Sequence, residues 1–289
     1  MKQKIKNLSF GKFQKLFPDD DVCLGVIFNM RYGGVNLTCP KCSKPTIYYR
    51  IKTRKCYECG ECSNQIYPLA GTIMEGTTTD LTLWFYAMYL FSTSKNGVSA
   101  KELERALGVT YKTAWRIGHK IREIMGKNED RMMSGVVEVD EALIGGVVRG
   151  GKRGWGAENK TCLFGIIERG GKVKVTPVDN RERATIFPLI TKHVEKGSVV
   201  NSDEFKSYHT LGDEGYDHRS VVHSKYQWAQ GENYTNSMEG YWSNLKKSIL
   251  STHTYVSPKH MQKYLDEFDF RHNHRNNEVI FDEILKRVI

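Results

Sequence analysis

Three carboxylates and one lysine are the residues of this sequence best placed to do chemistry. Asp140 lies inside an apolar, strand-like run, Val136–Ile144; Asp203 directly follows a second such run at 198–202; Glu239 falls in a helical pattern beyond them. Lys246 follows Glu239 by seven residues, which on a helix is two turns and the same face. A solitary acid is ordinarily a solvated surface charge. Acids at strand ends and on one helix can instead converge as a donor set for two divalent ions. Such a pair activates an attacking oxygen and stabilises a leaving one in phosphoryl transfer. Glu138, Glu141 and Glu204 are internal rivals, and Glu138 shares Asp140's strand face by two-residue alternation, so it is the first substitute.

The cysteines form a second constellation, five of the seven falling between residues 39 and 62. Cys39-Pro-Lys-Cys42 and Cys59-Gly-Glu-Cys62 are C-x-x-C pairs with 16 residues between them, a spacing typical of four-thiolate zinc sites. Tight turns close each pair, and four thiolates at tetrahedral corners suit a structural Zn²⁺. Cys56-Tyr-Glu-Cys59 is a competing pair with 13 residues between; Cys59 and Cys62 are preferred, with Cys56 a spare or an exchange ligand. Clustering of this kind in a reducing compartment favours metal over disulfides. A ribbon this small needs its ion because it cannot build a sufficient core. Its flanks interleave Lys41, Lys44, Arg50, Lys52, Arg54 and Lys55 with Tyr48, Tyr49 and Tyr57, a surface suited to phosphates or simply to water.

Periodicity supplies the elements that must position these groups. A short helical lead-in covers 16–31. Residues 80–92 have an acidic start and then apolar residues on nearly every face, which predicts a buried helix. Ser99 is an N-cap with Glu102 at capping-box spacing, Gly108 ends that helix, and Thr110 caps the next, which runs through Arg122. Helix, glycine turn and basic second helix describe a helix-turn-helix. Ala100, Leu103 and Leu107 then face Val109, Ala114, Ile117 and Ile121, leaving Lys112, Thr113, Arg116 and Lys120 toward a DNA groove. The plainer alternative is an amphipathic pair with a solvated basic face. From Gly135 the pattern changes to strands at Val136–Ile144, 161–169 and 172–178, the last two joined by Arg169-Gly-Gly171. A glycine-rich, basic loop spans 145–156. A helix at 184–195, a strand at 198–202, a candidate strand at 218–223 and helices at 235–250 and 258–270 complete the series. The stripe Met238, Tyr241, Trp242, Leu245 and Ile249 is assigned to core packing.

The chain of 289 residues is long enough for several domains and a sizeable core. Hydrophobic residues make up 39% and charged residues 26%, and the mean hydropathy is −0.50, values of a water-soluble globular protein. The longest apolar stretch, 81–91, is about half a membrane span, and the basic residues 1–17 lack the apolar core of a signal peptide. A cytoplasmic, nucleoid-associated protein is expected. A net charge of +10 and a pI near 9.1 favour a polyanionic partner, raising phosphate-backbone affinity without naming a sequence.

Acids on the first strand, after the fourth strand and on a late helix are the layout of an α/β ribonuclease H-like fold, in which the first strand is central and the fourth lies beside it. Taken with the cysteines, the whole chain resembles the insertion-sequence DDE transposases that carry an N-terminal zinc ribbon, the 1595 group of bacterial elements. The likeness rests on Cys39-Pro-Lys-Cys42, Pro68-Leu-Ala-Gly-Thr-Ile-Met-Glu75, Trp84-Phe-Tyr-Ala-Met-Tyr-Leu90, Val98-Ser-Ala-Lys-Glu-Leu103 and Leu107-Gly-Val-Thr-Tyr-Lys-Thr-Ala-Trp115. In the second half it rests on Val139-Asp-Glu141, Ser202-Asp203, Thr235-Asn-Ser-Met-Glu-Gly240, Trp242, Leu245-Lys246 and Val256-Ser-Pro-Lys-His260. No one stretch is decisive; their order together is specific.

The resemblance implies a helical lead-in at 1–36, a zinc ribbon at 37–72, a helix-turn-helix region at 73–132 and a DDE catalytic domain at 133–289. It implies Asp140, Asp203 and Glu239 as ligands of two Mg²⁺ or Mn²⁺ ions, with Lys246 at a DNA phosphate and a structural Zn²⁺ on Cys39, Cys42, Cys59 and Cys62. Some relatives place Asn or another residue at the third acidic position, so Asn236, one turn from Glu239, stays an alternative ligand. Tyr234 stands where relatives often carry His, leaving His223 as a substitute for any proton transfer. The expected activity is cleavage at terminal inverted repeats and strand transfer to target DNA, by a homo-oligomer assembled on DNA. The alternative is a catalytically inactive or domesticated sequence-specific DNA-binding protein, and a third reading is a zinc-ribbon nuclease that cuts without joining.

Overall fold

The computed structural model describes residues 8–127, 132–145, 160–220 and 235–289. The chain divides into two compact units, the first formed by the described part of Met1–Met125 with Asn276–Ile289, the second by that of Gly126–Arg275. Residues 276–289, grouped above with the catalytic domain, therefore fold with the first unit. The cause is aromatic. Phe281 of the last helix, α9 (Ile280–Lys286), lies against Phe13 and Phe17 around α1 (Phe10–Leu16), with ring centroids 6.1 and 5.4 Å away. Phe17 in turn meets Phe85 of α3 (Leu81–Thr93) at 5.0 Å.

The predicted buried helix is α3, with Leu81, Trp84, Phe85, Ala87, Met88 and Phe91 inside. Its N-terminus is served differently from expectation. Asp80 makes no side-chain cap; Asp20 of α2 (Asp20–Tyr32) instead accepts from the Thr82 amide at 3.0 Å and its hydroxyl at 3.2 Å. One acid thus ties two helices at an N-terminus, where backbone donors and the dipole favour negative charge. The ribbon is a four-stranded antiparallel sheet in sequential order, β1 (Asn36–Thr38), β2 (Pro45–Ile51), β3 (Cys56–Cys59) and β4 (Gln65–Ile66). Phe28 of α2 stacks on Tyr57 of β3 with centroids 4.0 Å apart, and Arg31 donates to the Pro68 carbonyl at 2.8 Å. Helix α4 (Ala100–Leu107) begins at Ser99, whose hydroxyl accepts from the Glu102 amide at 3.1 Å. It ends at Gly108, whose φ of 64° is the left-handed turn that glycine permits without strain. Helix α5 (Tyr111–Met125) then buries Ala114, Ile117 and Ile121.

The second unit is built on a five-stranded sheet in the order β7 (Val173–Val178), β6 (Thr161–Glu168), β5 (Val136–Ile144), β8 (Val199–Ser202), β9 (Asp217–Ser220). Strands β5, β6 and β7 pair antiparallel, whereas β5–β8 and β8–β9 are parallel. The first strand of the unit is central and the fourth lies beside it, the placement expected above. The candidate strand at 218–223 starts one residue early, and 221–223 lie outside the described residues. One face packs Val137, Val139, Phe164, Ile166 and Val200 against Ile186 and Ile190 of α6 (Arg183–His193). The other packs Ala142, Leu163, Ile167 and Val175 against Met238, Trp242 and Leu245 of α7 (Asn236–Ser248) and Leu265 of α8 (Met261–Asn273). Helix α8 also closes the free edge of β7. Asn273 accepts from the Val173 amide at 2.7 Å and donates to its carbonyl at 3.0 Å, and Asp269 accepts from the Val175 amide at 2.9 Å. An uncovered edge strand would offer those groups to another chain.

Candidate active site

Helix α7 is laid along β5, and the register is fixed from its first turn. Glu138 is 0% exposed, and its carboxylate accepts from the Ser237 and Met238 amides at 2.9 and 3.0 Å and from the Ser237 hydroxyl at 3.0 Å. Arg169 neutralises it at 2.8 Å. Four residues along the helix, Trp242 reaches Asp140, two residues along the strand, its indole N–H donating to Oδ2 at 3.0 Å. The two steps match because four helical residues rise about 6 Å and two strand residues about 6.6 Å. Close approach depends on Gly165, the partner of Asp140 on β6. A Cβ at Gly165 would stand 2.7 Å from the Trp242 ring and closer still to Met238.

Asp140 and Asp203 come together because β5 and β8 are parallel neighbours. Asp203 follows the last residue of β8, and the Phe205 amide donates to its Oδ1 at 3.0 Å. Behind it, Ser202 donates to the Asp203 carbonyl at 2.8 Å and lies 2.9 Å from His218 Nε2 on β9. Asp140, Glu141 and Asp203 each offer an oxygen within 4.8 Å of the others. Glu141 is buried on the opposite strand face and receives the hydroxyl of Tyr208, itself fully buried. Burial pushes Asp140 up to about 6, with Asp203 and Glu239 adding like charge. Burial likewise lifts Glu141 to about 7, with Asp203 and Asp140 contributing and Arg181 opposing. Carboxylates that resist ionisation beside one another form a site that a divalent cation would relieve.

Each expected site residue has a definite place. Asp140 and Asp203 converge. Glu239 is exposed on the first turn of α7 and stands outside the tight group, although its charge reaches Asp140. Asn236, the alternative, is also exposed, at the first position of α7. Glu239, Trp242 and Lys246 form one helical stripe, and exposed Lys246 lies beyond Asp140 along β5. Glu138, the expected substitute, is spent on the α7 N-terminus and Arg169, and Glu204 is exposed outside the cluster. Tyr234, His223 and most of the 145–156 loop lie outside the described residues. Alternation in β5 gives no hint of Glu141, because it points it away from Asp140's face. The Glu138 cap and the Gly165 clearance likewise have no local signature.

In the ribbon, Cys39, Cys42, Cys59 and Cys62 gather with all sulfurs within 4.8 Å. The Cys39–Cys62 and Cys42–Cys59 separations are 3.7 and 4.0 Å. Zn–S bonds of about 2.3 Å in a tetrahedron place sulfurs about 3.8 Å apart, so the four thiols fit zinc. The two pairs sit on equivalent knuckles. The Cys39 and Cys59 amides donate to the Lys44 and Asn64 carbonyls, both at 2.9 Å, and the Ser43 and Ser63 amides return to the Cys39 and Cys59 carbonyls. Ser43 and Ser63 both turn left-handed, at φ 58° and 57°. Cys56 stands outside this group, at the start of β3, with its sulfur 3.9 Å from Gln65.

Comparison with known proteins finds a family match over each of these two regions of the chain. A family described as "Transposase zinc-ribbon domain" matches residues 18–65, and one described as "ISXO2-like transposase domain" matches residues 132–273. An "Uncharacterized transposase-like protein" of Haemophilus influenzae is 31% identical over 119 residues, 41% of this chain and 94% of the relative. The chain belongs to the 1595 group of insertion-sequence transposases. Two solved structures are distant neighbours of this transposase. A pre-cleavage Mos1 transpososome shares 12% identity over 71% of this chain and 79% of that one, with a TM-score of 0.26. The Mos1 strand transfer complex shares 14% over 71% and 78%, with a TM-score of 0.28.

The residues expected to form a basic face lie on α5. Lys112, Arg116 and Lys120 are exposed, while Thr113 is half-buried and its hydroxyl lies 3.1 Å from that of Thr110. Lys120 pairs with Glu123 at 3.3 Å, and the Arg116 guanidinium lies 5.8 Å from the Trp84 ring centroid. Among the described residues, no helix is long and apolar enough to cross a membrane.

Proposed function

We propose that this transposase is a DDE enzyme that cleaves DNA at terminal inverted repeats and transfers the freed strand to target DNA. The observation that carries the reading is the convergence of Asp140 and Asp203 from neighbouring parallel strands, with Asp140 raised to about 6 by burial and by the acids around it. In this reading the five-stranded unit is a ribonuclease H-like catalytic domain. Asp140 and Asp203 hold Mg²⁺ or Mn²⁺, and Glu239 completes the set from the exposed first turn of α7, with Asn236 beside it. Bound divalent ions supply charge neutralisation and a lowered pKa for the attacking hydroxyl or water. Trp242 occupies one oxygen of Asp140 and so orients the other lone pairs outward. Lys246, two turns from Glu239, meets a phosphate of the bound strand. The zinc ribbon and the Lys112, Arg116, Lys120 face grip DNA backbone, with α5 in a groove as the second helix of a helix-turn-helix and Thr113 at its edge. A homo-oligomer on DNA, bringing two ends together, belongs to the same reading.

The test is strand transfer with Mg²⁺ on a duplex carrying the element's end, comparing wild type with Asp203→Ala and Glu239→Gln. Wild type should give joined product, and both variants should lose it by at least about a thousandfold while still binding the duplex. Equal products from wild type and Asp203→Ala would overturn the site. Binding without reaction in every protein would leave a DNA-binding protein, and cleavage without joining a nuclease.

A further inference from the structure

Past Trp242, α7 continues along β5 and ends over a cavity of about 130 Å³. Leu143, Ile249 and Val256 give it an apolar lining, and Lys246, Leu250 and Tyr255 stand around it. Leu250 and Tyr255 are 67% and 57% exposed, large hydrophobic groups turned toward water. The backbone that presents them is not relaxed helix. A π-helical turn, Ile249–His253, follows α7, and Thr254 is held at φ 62° and ψ −52°. Apart from the two serines of the zinc knuckles, Thr254 is the only non-glycine residue with positive φ among the described residues. A β-branched residue resists that conformation, and π turns and strained residues gather where a ligand is held.

The register of α7 on β5 sets this cavity next to the carboxylates. Trp242 touches Asp140, and Lys246 is one turn further, about 6 Å along the axis. A DNA strand with one phosphate at Asp140 and Asp203 therefore meets, within about a nucleotide's reach, a lysine and then an apolar recess beside a tyrosine. The complementarity is that of a nucleotide: charge at Lys246 for the phosphate, apolar walls and an aromatic face for the base.

We infer that this cavity takes one nucleobase turned out of the stack from the strand bound at the carboxylates, with Tyr255 stacked on the base and Lys246 on its phosphate. The inference rests on the DNA reading above. The test uses the full chain and two DNA probes, a duplex with a short thymidine overhang and the same duplex with an abasic overhang of equal charge. Wild type should bind the thymidine overhang about tenfold more tightly, the worth of one stacked base. Tyr255→Ala and Leu250→Ala should lose that preference while binding the abasic probe as wild type does, which also reports that they are folded. Tyr255→Phe should keep it, and Lys246→Ala should weaken both probes. Equal binding of the two probes by wild type, or an undiminished preference in Tyr255→Ala, overturns the inference while leaving the DNA reading intact. A change in self-association of Tyr255→Ala without any base preference overturns it in favour of a second copy on this face. Failure to bind either probe overturns the DNA reading and this inference with it.

Discussion

The zinc ribbon and the carboxylate site solve the same problem, holding ligands in place, with opposite economies. All four ribbon ligands lie within 24 residues of sequence, on two knuckles with the same hydrogen bonds and the same left-handed serine. The carboxylate site brings Asp140 and Glu141 of one strand to Asp203, about sixty residues further along the chain. Its alignment depends on Glu138, Gly165 and Trp242, none of which stands in the cluster. A local site can be specified by spacing alone, whereas a long-range site is only as good as the packing that delivers it.

The largest expected effect removes the local site's organiser. Chelation, or Cys42→Ser, should unfold the ribbon, because apparent zinc-binding free energies in small fingers are about 10–16 kcal/mol and are folding free energy. Amide exchange should show β1–β4 losing protection while β5–β8 keep theirs. A metal-free chain whose ribbon amides stayed protected would break the contrast, since the ribbon would then hold itself by packing.

Next comes the long-range site's own fastener. Glu138→Ala strips the buried partner from Arg169 and the acceptor from two amides at the start of α7. Breaking a buried pair of this kind costs about 3–5 kcal/mol, read as a shift in the denaturant midpoint of the second unit. The same variant should lower strand transfer without touching Asp140 or Asp203. A loss under about 1 kcal/mol would mean that α7 is positioned by its apolar stripe alone.

This contrast also explains what is legible in the sequence. The cysteine spacing, the strand Val136–Ile144, the hairpin at Arg169–Gly171 and the Ser99 and Gly108 caps are local signals, and the structure bears each of them out. Asp140 and Asp203 can be paired because the ribonuclease H-like layout that the element order resembles puts their strands side by side, as β5 and β8 are. The role of Glu138 is hidden because alternation gives its face but not the helix end waiting there. Glu141 points off that face, yet its longer side chain still brings an oxygen to the group. The destination of 276–289 depends on Phe281 finding Phe13 and Phe17, a pairing across nearly the whole chain that no periodicity records.

A pH titration probes the same contrast more gently. In the metal-free chain Asp140 stands near 6 and Glu141 near 7, both above their unfolded values. The folded state therefore binds more protons between about pH 4 and 7, and its stability falls as pH rises through that window. Buried Asp269, raised to about 7, acts in the same direction. A tenfold change in proton affinity corresponds to about 1.4 kcal/mol, so the Asp140 carboxyl alone accounts for a loss on the order of 3 kcal/mol. Mg²⁺ should offset it, raising the unfolding temperature more at pH 8 than at pH 5.5, and Asp203→Asn should shrink that difference. The same Mg²⁺ effect at both pH values, in both proteins, would remove the carboxylates as the cation site.

The smallest effect separates a ligand from a look-alike inside the ribbon. Cys56 lies within the same 24-residue stretch and spaces as well with Cys59 as Cys62 does, so sequence alone leaves it in contention. In the fold it pairs with Ile51 of β2, its side chain is fully buried, and its sulfur stands outside the group that the other four form. Cys56→Ala should then keep one zinc per chain and cost only about 1 kcal/mol, typical of a small core truncation. Cys62→Ala should lose the metal. The check is metal content by mass spectrometry beside a thermal melt of each protein. If Cys56→Ala lost zinc while Cys62→Ala kept it, the knuckle geometry would not be what selects the ligand, and spacing would have to yield to burial even at the local site.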